Sequence, residues 1–211
     1  MSKDWTDWHL AYKDPASALS QRLAIVQARL RALLSAMPPG PIRAISMCAG
    51  QGRDLIGALI DHDRSGDVSA LLVELDPGVA AAARSAASMA GLDAIEVVQG
   101  DAAMTDAYAG WLPADLVLVC GMFGNISDAD IEVTVRSLPM LCARGGAVIW
   151  TRHRRPPDLT PAVRRWFIDS GFCEVSFDAP DNTSSSGIGT ARLVAEPLPF
   201  RPSVRMFTFV R

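Results

Sequence analysis

Five short, unbroken apolar runs alternate with stretches of helical period, and this alternation limits what the chain can fold into. The runs fall at 42–48, 70–75, 95–99, 116–120 and 147–151. Each is too brief and too uniformly apolar for an exposed strand, as expected of parallel strands covered on both faces. Helical period fills the gaps at 53–61 and 78–90 and precedes the first run at 17–36, which stops before Pro38-Pro39-Gly40. A βαβαβ series of this kind makes a doubly wound α/β sheet. At 211 residues and 49% hydrophobic composition the chain has enough material for one such domain and its core.

The last third reads differently. Residues 160–170 form a helix with Thr160 as N-cap and Pro161 at the first helical position. Strand character follows at 172–177 and again at 204–210, with a Ser-, Gly-, Pro- and Asn-rich stretch at 178–202 between them. With no crossover helix between them, these two late strands are expected to form an antiparallel hairpin on the sheet edge.

The first strand runs into Cys48-Ala49-Gly50-Gln51-Gly52, and a helix opens at Arg53-Asp54. Glycine there lets the backbone turn tightly and lie close to a ligand. Taken alone, the pair also fits a plain strand-to-helix turn. Two acids at neighbouring strand ends add to it. Glu74 ends the second strand, where a carboxylate can accept both hydroxyls of a ribose, and Asp101 ends the third, facing the same crevice. Loop or helix capping is the alternative for each acid singly. A nicotinamide dinucleotide is disfavoured, because Leu55 stands where its fingerprint wants a small residue and neither Tyr12 nor Tyr108 begins a Tyr-x-x-x-Lys pair.

With these motifs the sequence resembles the class I S-adenosylmethionine-dependent methyltransferases over residues 42–211. The likeness rests on 48–54, on Val73-Glu74-Leu75-Asp76-Pro77, on Gln99-Gly100-Asp101-Ala102, on 114–121 and on a late antiparallel strand. It implies a Rossmann-like, doubly wound seven-stranded sheet with the last strand antiparallel, here with an N-terminal helical extension at 1–40 ahead of the methyltransferase domain at 41–211. S-adenosylmethionine is the implied cofactor. Its methionine part would lie against Cys48, Ala49, Gly50 and Gly52, its ribose on Glu74 with Leu75 alongside, and its adenine by Asp101 and Ala102. Past the fourth strand Gly121 would allow close approach and Phe123 would pack on the sulfonium side, while a backbone carbonyl near Ala49 or Cys120 would meet the cofactor's ammonium. Two positions depart from the family: its usual acid after strand 1 is Cys48, and its usual third glycine is Asp54.

Methyl transfer needs a base only where the acceptor starts protonated. Past the fifth strand, His153 is the best-placed base, within Arg152-His153-Arg154-Arg155; a solvated basic loop is the plainer reading of that run. Asn125 is either an acceptor contact or a turn residue or helix cap. Tyr12 and His9 are candidates for a lid over the site, Trp5 and Trp8 for packing, and Arg22 for the cofactor carboxylate. His62 is expected at the surface.

Composition trims the partner list. A net charge of −3, with only two lysines among the 20 basic residues, disfavours duplex nucleic acid as a partner. No apolar run is long enough to span a membrane, and the polar start has no leader character, so a cytoplasmic location is expected. The scattered cysteines show no metal-ligand spacing, so no metal is expected. The reading is an enzyme that methylates O or N of a small molecule, with homodimerisation left open. A non-catalytic adenosine-binding scaffold and an RNA or protein methyltransferase are the alternatives.

Overall fold

The computed structural model describes residue 14, residues 16–179 and residues 186–210. Seven strands form one sheet: β1 (Ile42–Met47), β2 (Val68–Glu74), β3 (Ile95–Gln99), β4 (Ala114–Val119), β5 (Cys142–His153), β6 (Phe172–Asp178) and β7 (Ser186–Leu193), in the order β3-β2-β1-β4-β5-β7-β6. Strands β1 to β5 pair in parallel, and β7 runs antiparallel between β5 and β6. The strand order reverses direction between β1 and β4. Open α/β sheets bind ligands beyond the strands' carboxyl ends at such a point.

Five helices cover the sheet: α1 (Ala18–Ala36), α2 (Arg53–Leu59), α3 (Pro77–Met89), α4 (Asp128–Ser137) and α5 (Thr160–Asp169). Period-two alternation divides the strand side chains between two cores. Ala44, Leu72, Leu116 and Ile149 meet α1, α2 and α3 through Val26, Leu30, Leu55 and Ala83. On the other face Ile45, Val73, Val117 and Trp150 meet Ile131, Val135, Val163 and Phe167 of α4 and α5. Local chemistry starts the helices. Ser17 caps α1 by accepting from the Ser20 amide at 3.1 Å, and Asp76 caps α3 by accepting from Gly78 and Val79 at 2.8 and 2.9 Å, with Pro77 in the first turn. None of the described helices is long and apolar enough to cross a membrane.

The seven-stranded sheet with its antiparallel end matches expectation, but three details differ. The final strand is Ser186–Leu193, inside the stretch read as a loop, and residues 204–210 form no strand. That tail is a strap held by isolated bridges Met104↔Arg205 and Ile126↔Phe209, with Met206 and Phe207 both buried. The strap makes no continuous ladder with any of the seven strands, so it is not an element of the sheet. Second, Thr160 is the first residue of α5 and not its cap, which falls at Leu159: one Asp158 oxygen accepts from the Thr160 amide and hydroxyl at 2.9 and 2.8 Å. Third, β5 extends to His153, which pairs with Ser186, so Arg152 and His153 are strand residues and not a free loop. His62, expected at the surface, is partly buried, its Nδ1 accepting from the Arg64 amide at 3.1 Å.

Candidate functional site

Three loops meet beyond β1, β2 and β3. The β1–α2 turn places Cys48, Gly50 and Gly52 at φ values of 50°, 58° and 71°. A Cβ on Gly52 would lie 2.6 Å from Ile56 Cδ1 and 2.8 Å from Leu72 Cδ2, so glycine lets α2 pack directly on β2. Glu74 ties this turn to β2. Its Oε2 accepts from the Gly50 amide at 2.8 Å and its Oε1 from the Asp76 amide at 3.0 Å. Next to it Leu75 is 60% exposed, an apolar surface at the crevice rim.

Asp101 accepts from the Ala103 amide at 2.9 Å and from Arg205 Nη2 at 2.9 Å. Arg205, on the C-terminal strap, has no sequence signal tying it to the site. Ala102 is buried, and its carbonyl accepts from the buried Tyr108 hydroxyl at 2.6 Å. Burial, with the nearby charges of Glu74 and Asp101, pushes the Cys48 thiol far above its ordinary range, so it is neutral.

At the other end of the crevice lie Asp54, Arg22 and Cys120. Asp54 stands in the first turn of α2. Burial raises its pKa, against the pull of the Arg22 charge and a hydrogen bond with Cys120. Arg22 reaches in from α1: a Cβ on Gly121, itself at φ 79°, would be 3.8 Å from Arg22 Nη2. Phe123 departs from expectation. It is fully buried in the core, its ring centroid 6.4 Å from that of Trp150, and is therefore committed to packing rather than to the crevice.

Beyond β4 and β5 a second space opens, a cleft of about 310 Å³ bordered by α1, the 121–125 turn and the ends of β5 and β7. Asn125 shapes it, donating from Nδ2 to the Gly121 carbonyl at 2.9 Å, while the Gly121 amide donates to Thr151 Oγ1 at 2.8 Å. Asn125 therefore fastens a turn, and the cap of α4 is Ser127, which accepts from the Asp130 amide at 3.1 Å. His153 lines the cleft, and its ring Cδ2 would be 3.4 Å from a Cβ on Gly124. The Arg152 Nη1 group contacts His153 Nε2 within hydrogen-bond distance. A guanidinium only donates, so Nε2 accepts and the neutral ring carries its proton on Nδ1. Burial and the charges of Arg152 and Arg155 lower the His153 pKa, partly offset by Asp158.

The structure thus places Cys48, Ala49, Gly50, Gly52, Glu74, Leu75, Asp101 and Ala102 at and just beyond the carboxyl ends of β1, β2 and β3, and Gly121, Asn125 and His153 around the cleft. Cys120 sits between the two. His9 and Tyr12, with Trp5 and Trp8, lie outside the described residues. Thr151 and Ser186 also line the cleft and were not anticipated.

No protein-family model and no curated protein sequence matches the chain. Solved structures are similar in fold. An O-methyltransferase family protein from Burkholderia thailandensis has a TM-score of 0.61 at 15% identity, over 85% of this chain and 60% of that one. Magnesium protoporphyrin IX methyltransferase from Synechocystis PCC 6803, with bound SAM, has a TM-score of 0.66 at 16% identity, over 90% and 91% of the two chains. The carbon methyltransferase CurJ has a TM-score of 0.67 at 13% identity, over 91% of this chain and 59% of that one. This chain spans about three fifths of the length of the Burkholderia and CurJ chains. The fold is the Rossmann-like fold of class I S-adenosylmethionine-dependent methyltransferases.

Proposed function

We propose that this chain is an S-adenosylmethionine-dependent methyltransferase acting on O or N of a small molecule. The observation that carries the reading is Glu74. Its two oxygens already accept from the Gly50 and Asp76 amides, which fixes the carboxylate at the crevice floor. A carboxylate has about four lone-pair sites, so two remain for a ribose diol. The residues around it fit the rest of that cofactor: exposed Leu75 offers an apolar face to an adenine, and Asp101 and Ala102 lie at its edge. Toward β4, Asp54 and Arg22 form a pair of opposite charges suited to the ammonium and carboxylate of a methionine group. They take the place of the acid that Cys48 replaces.

When bound, such a cofactor supplies a methyl group on a sulfonium, an electrophile that reacts by in-line displacement. The chain's own part is to bind, to orient and to handle one proton. The turn held by Asn125 and Thr151 keeps the Gly121 backbone at the boundary between crevice and cleft. His153, neutral at ordinary pH, holds a lone pair on Nε2 that can receive a proton from an acceptor hydroxyl or amine.

Calorimetry with S-adenosylmethionine and S-adenosylhomocysteine tests the cofactor half. Incubation with methyl-labelled cofactor and a library of hydroxyl- and amino-bearing small molecules, read by mass spectrometry, tests the transfer. One-to-one binding with a labelled product is expected. Absence of binding overturns the reading, and binding without transfer to any acceptor turns it into a scaffold.

A further inference from the structure

The cleft beside the cofactor crevice is unusual in its charge. In a chain of net charge −3, its described lining holds Arg22, Arg152 and Arg155 and no Asp or Glu. A half-enclosed wall of one sign concentrates its field on whatever enters.

Arg152 is the telling member. It comes from the last turn of strand pairing, opposite Gly187, and its side chain is only 9% exposed. Its Nε is buried with no hydrogen-bond partner. The nearest carboxylate, Asp128, is 3.7 Å away and 63% exposed, where water screens it. Desolvation is accordingly the main influence on Arg152 and lowers its pKa. A guanidinium has five donors, and leaving a buried one short of acceptors is costly. Arg155 stands beside it, exposed, with no ion pair to the described residues. The other acid nearby is already occupied: Asp158 accepts from Thr160 and, at 3.4 Å, from Arg154 Nε. For a buried guanidinium with an unpartnered Nε, the matched ligand is an oxyanion, which fits the planar fork of arginine.

Resting on the methyltransferase reading above, we propose that the acceptor is a small molecule bearing a carboxylate or phosphate group, held by Arg152 and Arg155, and that its docking frees His153 to take the acceptor's proton. The Arg152 guanidinium occupies the Nε2 lone pair of His153, the same lone pair a base must use. An oxyanion is the stronger acceptor and draws the guanidinium to itself. The acceptor's O–H or N–H bond then breaks, its proton forms the new N–H bond at Nε2, and the electron pair stays on the acceptor atom as the nucleophile. The resulting imidazolium is balanced by the bound anion.

The test uses the full chain with and without S-adenosylhomocysteine, titrated separately with inorganic phosphate and with acetate. Calorimetry reads affinity, and two-dimensional imidazole spectra of the 15N-labelled protein read the ionisation of His153 among the three histidines. Saturable binding of at least one anion is expected, with the His153 pKa rising on saturation as the arginine charges are neutralised. Preference for phosphate or for acetate identifies the group the acceptor carries. Arg152→Gln and Arg155→Gln should each weaken binding by about tenfold or more, the worth of a hydrogen bond to a charged group, with Arg152→Lys intermediate. Arg155 is exposed, so its variant reads the site even if Arg152→Gln misfolds. The proposal fails if neither anion binds saturably, if the variants bind like wild type, or if His153 does not respond. Binding of S-adenosylhomocysteine without anion binding overturns only this proposal. Anion binding without S-adenosylhomocysteine binding overturns the cofactor reading instead.

Discussion

Glu74→Gln isolates the contact on which the proposed cofactor site depends, because it keeps the shape of the side chain and removes one acceptor and the charge. In the wild type the two oxygens accept from Gly50 at 2.8 Å and from Asp76 at 3.0 Å. An amide can serve one of these donors and turns its NH2 group toward the other, so one loop contact is lost. The partly buried setting puts that loss at about 1.5 kcal/mol, the lower end for hydrogen bonds to charged groups. On the ligand side one hydroxyl loses its acceptor and the second meets a neutral one. Together these amount to about 2–3 kcal/mol, or an increase of about 30- to 150-fold in the dissociation constant. Calorimetric titration with S-adenosylhomocysteine measures this without knowledge of the acceptor, and urea unfolding of the same sample measures the loop term. An affinity within about threefold of wild type, in a variant that unfolds cooperatively, would show that Glu74 holds the turn and touches no ligand.

Three other outcomes follow from the same geometry. Asp54→Asn should stabilise the cofactor-free protein at neutral pH while weakening cofactor binding. Burial raises the Asp54 pKa, so its contribution is favourable below the ordinary aspartate value of 3.8 and is lost as pH rises through the raised one; urea unfolding should show the variant's advantage shrinking as pH falls. For His153 the direction is opposite: burial and the Arg152 and Arg155 charges lower its pKa, so the neutral base persists and the acid limb of kcat/KM should lie below 6.5, moving upward in Arg155→Gln. A limb above 6.5, or one unmoved by that substitution, would remove His153 as the base. Gly189→Ala should cost about 3 kcal/mol in urea unfolding and alter tryptophan emission, because the new Cβ would lie 2.2 Å from Trp150 Cε2; wild-type stability would contradict that packing.

Legibility in the sequence tracked how each segment is packed. Strands β1 to β5 are covered on both faces, so their apolar runs are continuous and readable, and the loops at their carboxyl ends could be located with them. Strand β7 is as buried but escaped notice, because its composition answers to its neighbour. Trp150 pairs across from Gly189, and its indole, stacked at 5.7 Å on Phe167 and 5.8 Å from Phe177, fills the space a side chain there would need. A strand built around a neighbour's bulk reads as Ser, Gly and Thr, the letters of a loop. The tail at 204–210 is the mirror case, β-branched and aromatic in composition yet joined to the body by two isolated bridges and scattered hydrogen bonds rather than by a strand ladder. Helix α4 went unread because its β-branched Ile131, Val133 and Val135 obscure a helical face that the Ser127 cap and the buried Ile131 and Val135 define.

The departures within the glycine motif make sense once α1 is seen as part of the core rather than as an addition to it. Val26 and Leu30 are fully buried against β1 and α2, and Arg22 lies one helical turn before Val26 on the same face. Packing of the apolar residues therefore aims Arg22 at the carboxyl end of β4, where its guanidinium approaches Gly121. The Arg22 charge pulls toward an ionised acid beside it. Asp54 stands there in the first turn of α2, where a carboxylate is also favoured by the helix dipole, although burial of Asp54 outweighs that pull. An additional acid at position 48 would bring a third negative charge beside Glu74 and Asp101, whose fields already act on that thiol. Cysteine at 48 and aspartate at 54 are thus one arrangement: the negative charge has moved across the turn to meet the arginine that α1 delivers.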